Sequence, residues 1–197
     1  MATARKTPLR AVKSAAPDYV LRIELLDVKP VIWRRLMLPG SIKLDMLHQV
    51  LRCTMGWEGG HLYDLDFRDQ HYGPPFDDSM SGMSIDEGSR VKLVTALGGA
   101  KSFRYLYDIS AGWDHKIKVE KVLPADPTSK KVALCIDGER ACPPENSYPE
   151  DYMDFLQAIA DPAHGARAEM LKRYGGEFDP AAFSTTTVNE TLWNIKI

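Results

Sequence analysis

The sequence predicts an α+β fold with a mainly antiparallel sheet in a roll-like arrangement, and three observations predict it. Period-two alternation of apolar residues recurs in several short stretches. A single helical pattern interrupts those stretches near residues 41–55, and the remaining helical patterns collect after residue 149. No sustained strand–helix–strand alternation of the kind that builds a parallel sheet is present.

In chain order, Tyr19, Leu21, Ile23 and Leu25 alternate with Arg22 and Glu24, which predicts a first strand over 18–28. Lys29-Pro30 punctuates, and 31–38 reads as a second strand carrying Trp33, Arg34 and Arg35. Leu44, Leu47, Leu51 and Met55 then share one face of a helix over 41–55, with Ser41 as its expected N-cap. Trp57 follows. His61, Tyr63, Leu65 and Phe67 alternate as a third strand, and 73–90, rich in Asp, Ser and Gly, reads as an exposed loop. Residues 91–97 fit a short strand running into a helical turn. After a polar excursion at 124–131, residues 132–136 form one more short strand. The prolines of Cys142-Pro143-Pro144-Glu145 keep the strip 139–146 extended. Tyr152, Phe155, Leu156 and Ile159 mark one C-terminal helix, and Ala166, Met170, Leu171 and Tyr174 another.

The most patterned stretch is 103–123. Phe103, Tyr105, Tyr107 and Ile109 alternate on one side of a Ser110-Ala111-Gly112 turn, and Trp113, His115, Ile117 and Val119 on the other. A three-residue loop there sets Tyr107 opposite His115 and Asp108 opposite Asp114. Facing carboxylates repel unless a cation or a shared proton relieves them. Asp108, Asp114 and His115 are therefore the candidate catalytic residues, and Asp108 and Asp114 the candidate ligands for a divalent metal, with His61 or Glu120 as a further ligand or base. The competing reading makes the acids solvated turn residues beside Lys116 and Arg104, and His115 a hydrogen-bonded core residue. Sequence alone predicts no cofactor. The binding candidates are Trp33, Arg34, Arg35 and Trp57, able to stack and clamp, with His61, Tyr107, Trp113, Glu120 and Arg140 beside them.

At 197 residues the chain is long enough to bury a core unaided. Lysine and arginine number 25 against 27 acids, which excludes a wholly basic nucleic-acid binder. The charge is uneven, however. Residues 1–17 hold Arg5, Lys6, Arg10 and Lys13 and no acid, and read as a disordered basic arm ahead of one α+β domain over 18–197; an organelle transit peptide shares that composition. Three sparse cysteines fit a reducing compartment, and Cys135 and Cys142 lack zinc-knuckle spacing. No run is long enough to cross a membrane, so a cytoplasmic protein is expected.

Together these stretches carry a family resemblance. Pro30-Val31-Ile32-Trp33-Arg34-Arg35, Gly56-Trp57, His61-Leu62-Tyr63, Tyr105-Leu106-Tyr107-Asp108, Gly112-Trp113-Asp114-His115, Asp137-Gly138-Glu139-Arg140-Ala141-Cys142-Pro143-Pro144-Glu145 and Phe178-Asp179-Pro180 stand in the order seen in the plasmid pRiA ORF-three-like family. The chain resembles that family over about residues 18 to 185. The resemblance implies a compact α+β roll and an association with plasmids and mobile elements, and some members carry a resolvase-related label. Ile109-Ser110-Ala111 departs from the family's usual Phe-Gly-Asp, so a third carboxylate is missing here. Serine recombination is disfavoured chemically, because Ser41 is better explained as a cap and the C-terminal helices carry few bases. The expectation is a non-catalytic binding module, contacting nucleic acid or a protein or peptide. The alternatives are a metal-assisted hydrolase and a peptide-binding adaptor built on the strip 139–146.

Overall fold

The computed structural model describes residues 16–68, 70–74, 85–126, 132–145 and 147–197. Nearly all of the expected basic arm, and much of the loop expected over 73–90, lie outside the described residues. The strands are β1 (Asp18–Leu25), β2 (Trp33–Pro39), β3 (Tyr63–Phe67), β4 (Gln70–Gly73), β5 (Ile85–Glu87), β6 (Ser102–Tyr107), β7 (Trp113–Leu123) and β8 (Leu134–Glu139). They form one sheet in the order β5-β4-β3-β6-β7-β1-β2-β8. Every pairing is antiparallel except β4 with β5. The helices are α1 (Leu44–Met55), α2 (Leu93–Leu97), α3 (Pro149–Ala160), α4 (Arg167–Arg173) and α5 (Thr185–Leu192). The α+β expectation holds.

The sheet is two-faced because the alternation is two-faced. Leu21, Ile23 and Leu25 of β1, Leu36 and Leu38 of β2, Phe103, Tyr105 and Tyr107 of β6, and Trp113, His115 and Ile117 of β7 are all buried. Against them pack Leu44, Leu47, Val50 and Leu51 of α1, Tyr152 and Phe155 of α3, and Leu192 of α5, in a single core. The other face is open and charged. Arg22 pairs with Glu24, Lys118 with Glu24, and Arg35 with both Glu120 and Asp137. Such half-exposed pairs fix side-chain positions more than they stabilise the fold.

Two local expectations need correction. Ser41 does not cap α1: the N-cap is Lys43, with no side-chain bond to the helix, and a backbone bridge between Lys43 and Lys92 steadies the entry instead. Residues 91–97 match the expected passage from extended chain into a helical turn, with the bridge at Lys92 followed by helix at Leu93–Leu97. Finally, β4 and β5 were not expected: β4 lies between the third strand and the loop expected over 73–90, and β5 inside that loop. They form because β3 offers an unpaired edge, which β4 fills across a tight turn.

At the opposite edge, β8 is covered by a side chain. The Asn189 carboxamide accepts from the Cys135 N–H at 2.8 Å and donates to the Cys135 carbonyl at 2.9 Å. Asn189 thereby supplies the pair of bonds that a further strand would make, which blunts the edge against self-association.

Candidate functional site

The hairpin at 103–123 keeps its expected faces but not its expected register. Tyr107 stands opposite Trp113, Tyr105 opposite His115, and Leu106 opposite Asp114. The loop is five residues, 108–112, instead of three. Asp108 takes a left-handed conformation (φ 49°) and leaves the strand, and Gly112 (φ 81°) returns the chain. The Asp108 carbonyl accepts from the N–H groups of Ala111 (3.0 Å) and Gly112 (2.7 Å), while its carboxylate accepts from Ser110 Oγ (2.5 Å) and Ala111 N–H (3.2 Å). An aspartate that bonds its own turn in this way stabilises left-handed geometry that costs other residues more.

The facing pair of carboxylates is therefore absent. Asp114 lies on the open face and pairs with Arg104. His115 lies on the buried face, fully excluded from solvent. Its Nδ1 donates to the Tyr105 carbonyl at 3.0 Å, so the proton sits there and Nε2 is a bare acceptor with no partner among the described residues. Burial pushes this imidazole down to about 4. Asp108, Asp114 and His115 do not meet, and a metal or acid–base site made of those three is not assembled.

What Asp108 meets instead is His61. The Asp108 Oδ2 lies 3.0 Å from His61 Nδ1, and on the far side of the ring His61 Nε2 lies 3.5 Å from Glu145 Oε1. Glu145 is held in place by two donors, the Tyr107 hydroxyl at 2.7 Å and the Glu58 N–H at 2.7 Å. Burial first, and then the Glu145 carboxylate, raise the Tyr107 hydroxyl far above its ordinary value, so it stays a donor. Trp57 stacks on the Tyr107 ring at 4.4 Å, and its Nε1 donates to the Pro143 carbonyl at 3.2 Å. Trp113 Nε1 likewise donates to the Ser147 carbonyl at 3.0 Å. Two buried tryptophans thus pin the proline-bounded strip over the sheet end, and the strip presents Glu145 to His61. Because the imidazole nitrogens face opposite carboxylates, the three groups flank one another and do not converge on a point where an ion would sit.

Beneath lies a second histidine. His48 Nδ1 is 2.9 Å from the Tyr105 hydroxyl, and its ring stacks on Tyr63 at 3.6 Å. Burial, with Arg52 adding to it, pushes His48 down to about 4. Arg52 itself donates to the carbonyls of Trp57 and Glu58, shaping the turn that carries Glu58 and His61.

Beside the cluster is a cleft of about 690 Å³. The same two segments build both: Ala111 belongs to the Asp108 loop, and Tyr148 follows Glu145 on the strip. The cleft is lined by Asp27, Glu150, Asp151 and Asp154, with Met153 and Pro149. Tyr148 is 51% exposed.

The other binding candidates divide between the two faces. Trp33 and Arg35 are on the open face, where Trp33 Nε1 donates to Glu139 and the Arg22 guanidinium lies 4.0 Å from the Trp33 ring. Arg35 is engaged by Glu120, which it holds below its ordinary value. Arg34 points the other way. It is buried, donates to the carbonyls of Trp33 (2.9 Å), Glu139 (2.9 Å) and Thr54 (3.3 Å), and stacks on Phe183. Arg140 is half-buried and left-handed just beyond β8. Trp33, Arg34, Arg35 and Trp57 therefore share no surface. Glu145 was missed as a site residue. Its signal was the double proline before it, which forces an extended strip whose side chains project across neighbours.

Comparison with known proteins bears on the fold and on kinship. A family model described as plasmid pRiA4b ORF-3-like protein matches residues 17–187. The chain is 40% identical over 176 residues to the uncharacterized protein y4hQ of Sinorhizobium fredii (strain NBRC 101917 / NGR234), covering 87% of this chain and 89% of that one. The crystal structure of MM3350, a protein of unknown function from Methanosarcina mazei Go1, is similar with a TM-score of 0.78 at 25% identity, covering 89% of this chain and 98% of that one. Among the described residues no helix is long and apolar enough to cross a membrane.

Proposed function

The chain belongs to the plasmid pRiA4b ORF-3-like family, and from that premise and the geometry above we propose that it is a non-catalytic binding module for a basic protein or peptide segment. One observation carries the reading. The Asp108 and Glu145 carboxylates, each held by its own donors, flank His61 next to a cleft lined by four further acids. Fixed carboxylates of this kind suit the fork of an arginine or the ammonium of a lysine. Met153, Pro149 and the exposed ring of Tyr148 suit the aliphatic stem behind such a cation.

Nucleic acid is the less favoured partner. Its phosphates are repelled by this acidic end, and Trp33 on the open face already carries a guanidinium on its ring.

Fluorescence anisotropy tests the proposal with three labelled probes: a peptide of alternating arginine and glycine, its glutamate counterpart, and a single-stranded oligonucleotide. The arginine peptide binds saturably and loses affinity with added salt. The variant carrying Asp108→Asn and Glu145→Gln, which removes both charges and leaves one accepting oxygen on each side chain, weakens binding by about tenfold. Binding of the oligonucleotide in place of the peptide contradicts the reading, as does peptide binding that the double variant leaves intact.

A further inference from the structure

The open face of the sheet holds a second cleft, of about 400 Å³, lined by Asp66, Arg68, Ser102, Arg104 and Lys116. Arg104 of β6 stands directly opposite Lys116 of β7, and like charges facing across a ladder are unfavourable unless something relieves them. The neighbouring acids relieve only part of this charge. Asp114 pairs with Arg104. Glu24 is in register with Lys116, yet its carboxylate is taken by Arg22 and Lys118. Among the described residues, Lys116 and Arg68 have no ion-pair partner. Arg68 holds the left-handed backbone (φ 67°) that the tight turn between the paired Phe67 and Gln70 requires.

We propose that this cleft binds a phosphate monoester or inorganic phosphate. Arg68, Arg104 and Lys116 supply the positive charge, and the Ser102 hydroxyl a further donor. Asp66 lines the same cleft, so the anion that fits is one still carrying a proton to donate to a carboxylate. Inorganic phosphate carries such a proton near neutral pH, and a phosphomonoester does so below its second ionisation at about pH 6; sulfate and the internal phosphodiesters of nucleic acid do not.

The test is titration of the full chain at about pH 6, where a monoester still keeps part of its last proton, with inorganic phosphate followed through the arginine Nε–H signals by NMR, and with parallel arms of sulfate, a nucleoside monophosphate and an oligonucleotide lacking terminal phosphates. Phosphate shifts the Arg68 and Arg104 signals saturably in the millimolar range, and sulfate and the oligonucleotide do so more weakly. A nucleoside monophosphate that binds more tightly than phosphate identifies a nucleotide as the source; equal affinity identifies the free anion. Lys116→Ala weakens binding by about tenfold, whereas Lys118→Ala, whose ammonium is held by Glu24, changes it by less than about twofold. Asp66→Asn abolishes the preference for phosphate over sulfate. The proposal is overturned by the absence of a saturable shift, by equal losses in the two lysine variants, or by sulfate matching phosphate with Asp66 intact.

Discussion

Acidification loads the core through two buried histidines. His115 is fully buried and His48 is 6% exposed, and burial holds both rings down to about 4, against 6.5 for a free imidazole. Between those values the unfolded chain binds protons that the folded chain refuses. Stability must therefore fall as the pH falls through that window. From about pH 7.5 to about pH 5 each ring accounts for a loss of about 2 kcal/mol, and the two together about 4. Asp64, raised by its burial, works in the opposite direction. Glu24 and Glu120, held low by Arg22 and Arg35, begin to matter only below the histidine window. Urea unfolding across this range checks the total, and His48→Gln removes about half of the slope. Histidine Cε1–H resonances check the cause, since two of the five histidines remain untitrated above about pH 5. A stability flat to within about 1 kcal/mol over this range, or five histidines titrating near their free value, refutes the assignment.

Three substitutions probe other parts of the account. Asn189→Leu leaves the Cys135 N–H and carbonyl without partners and lowers stability by about 1–3 kcal/mol in urea, with self-association at the bared edge visible by sedimentation. Gly138→Ala places a methyl 2.5 Å from Phe183 Cζ and 2.9 Å from the Trp33 carbonyl, and costs about 1–3 kcal/mol of stability, read from the shift in thermal midpoint. Asp114→Asn removes only a half-exposed pair with Arg104 and changes stability by less than about 1 kcal/mol; a large gain would restore the discarded picture of two repelling acids.

The faces of the sheet were legible because alternation is a property of the strand itself. Phe103, Tyr105, Tyr107, Trp113, His115 and Ile117 read as one face, and all six are buried. The register between those strands was not legible, because it depends on how Asp108 turns. A left-handed aspartate bonding Ser110 and Ala111 lengthens the loop by two residues, and nothing in the alternation signals it. An error of two residues kept each side chain on its face and changed every partner across the ladder. The site suffered more than the fold. Its true members, His61 and Glu145, come from separate connections and meet only once Trp57 and Trp113 have fixed the strip over Tyr107. Arg34 and Arg35 show the same limit: adjacent in sequence, they point to opposite faces, one into a cage of carbonyls and the other to Glu120 and Asp137.

The proposed function requires that the end of the sheet around His61 receive a cation from a partner. The most direct measurement is NMR mapping of the arginine peptide on the full chain, watching the His61 ring and the backbone amides of Glu58 and Ala111. These amides donate to the Glu145 and Asp108 carboxylates and so report on them. All three are expected to move together along one saturation curve, and to stay still when the glutamate peptide is added. Shifts scattered over the open face with His61 unmoved would contradict it.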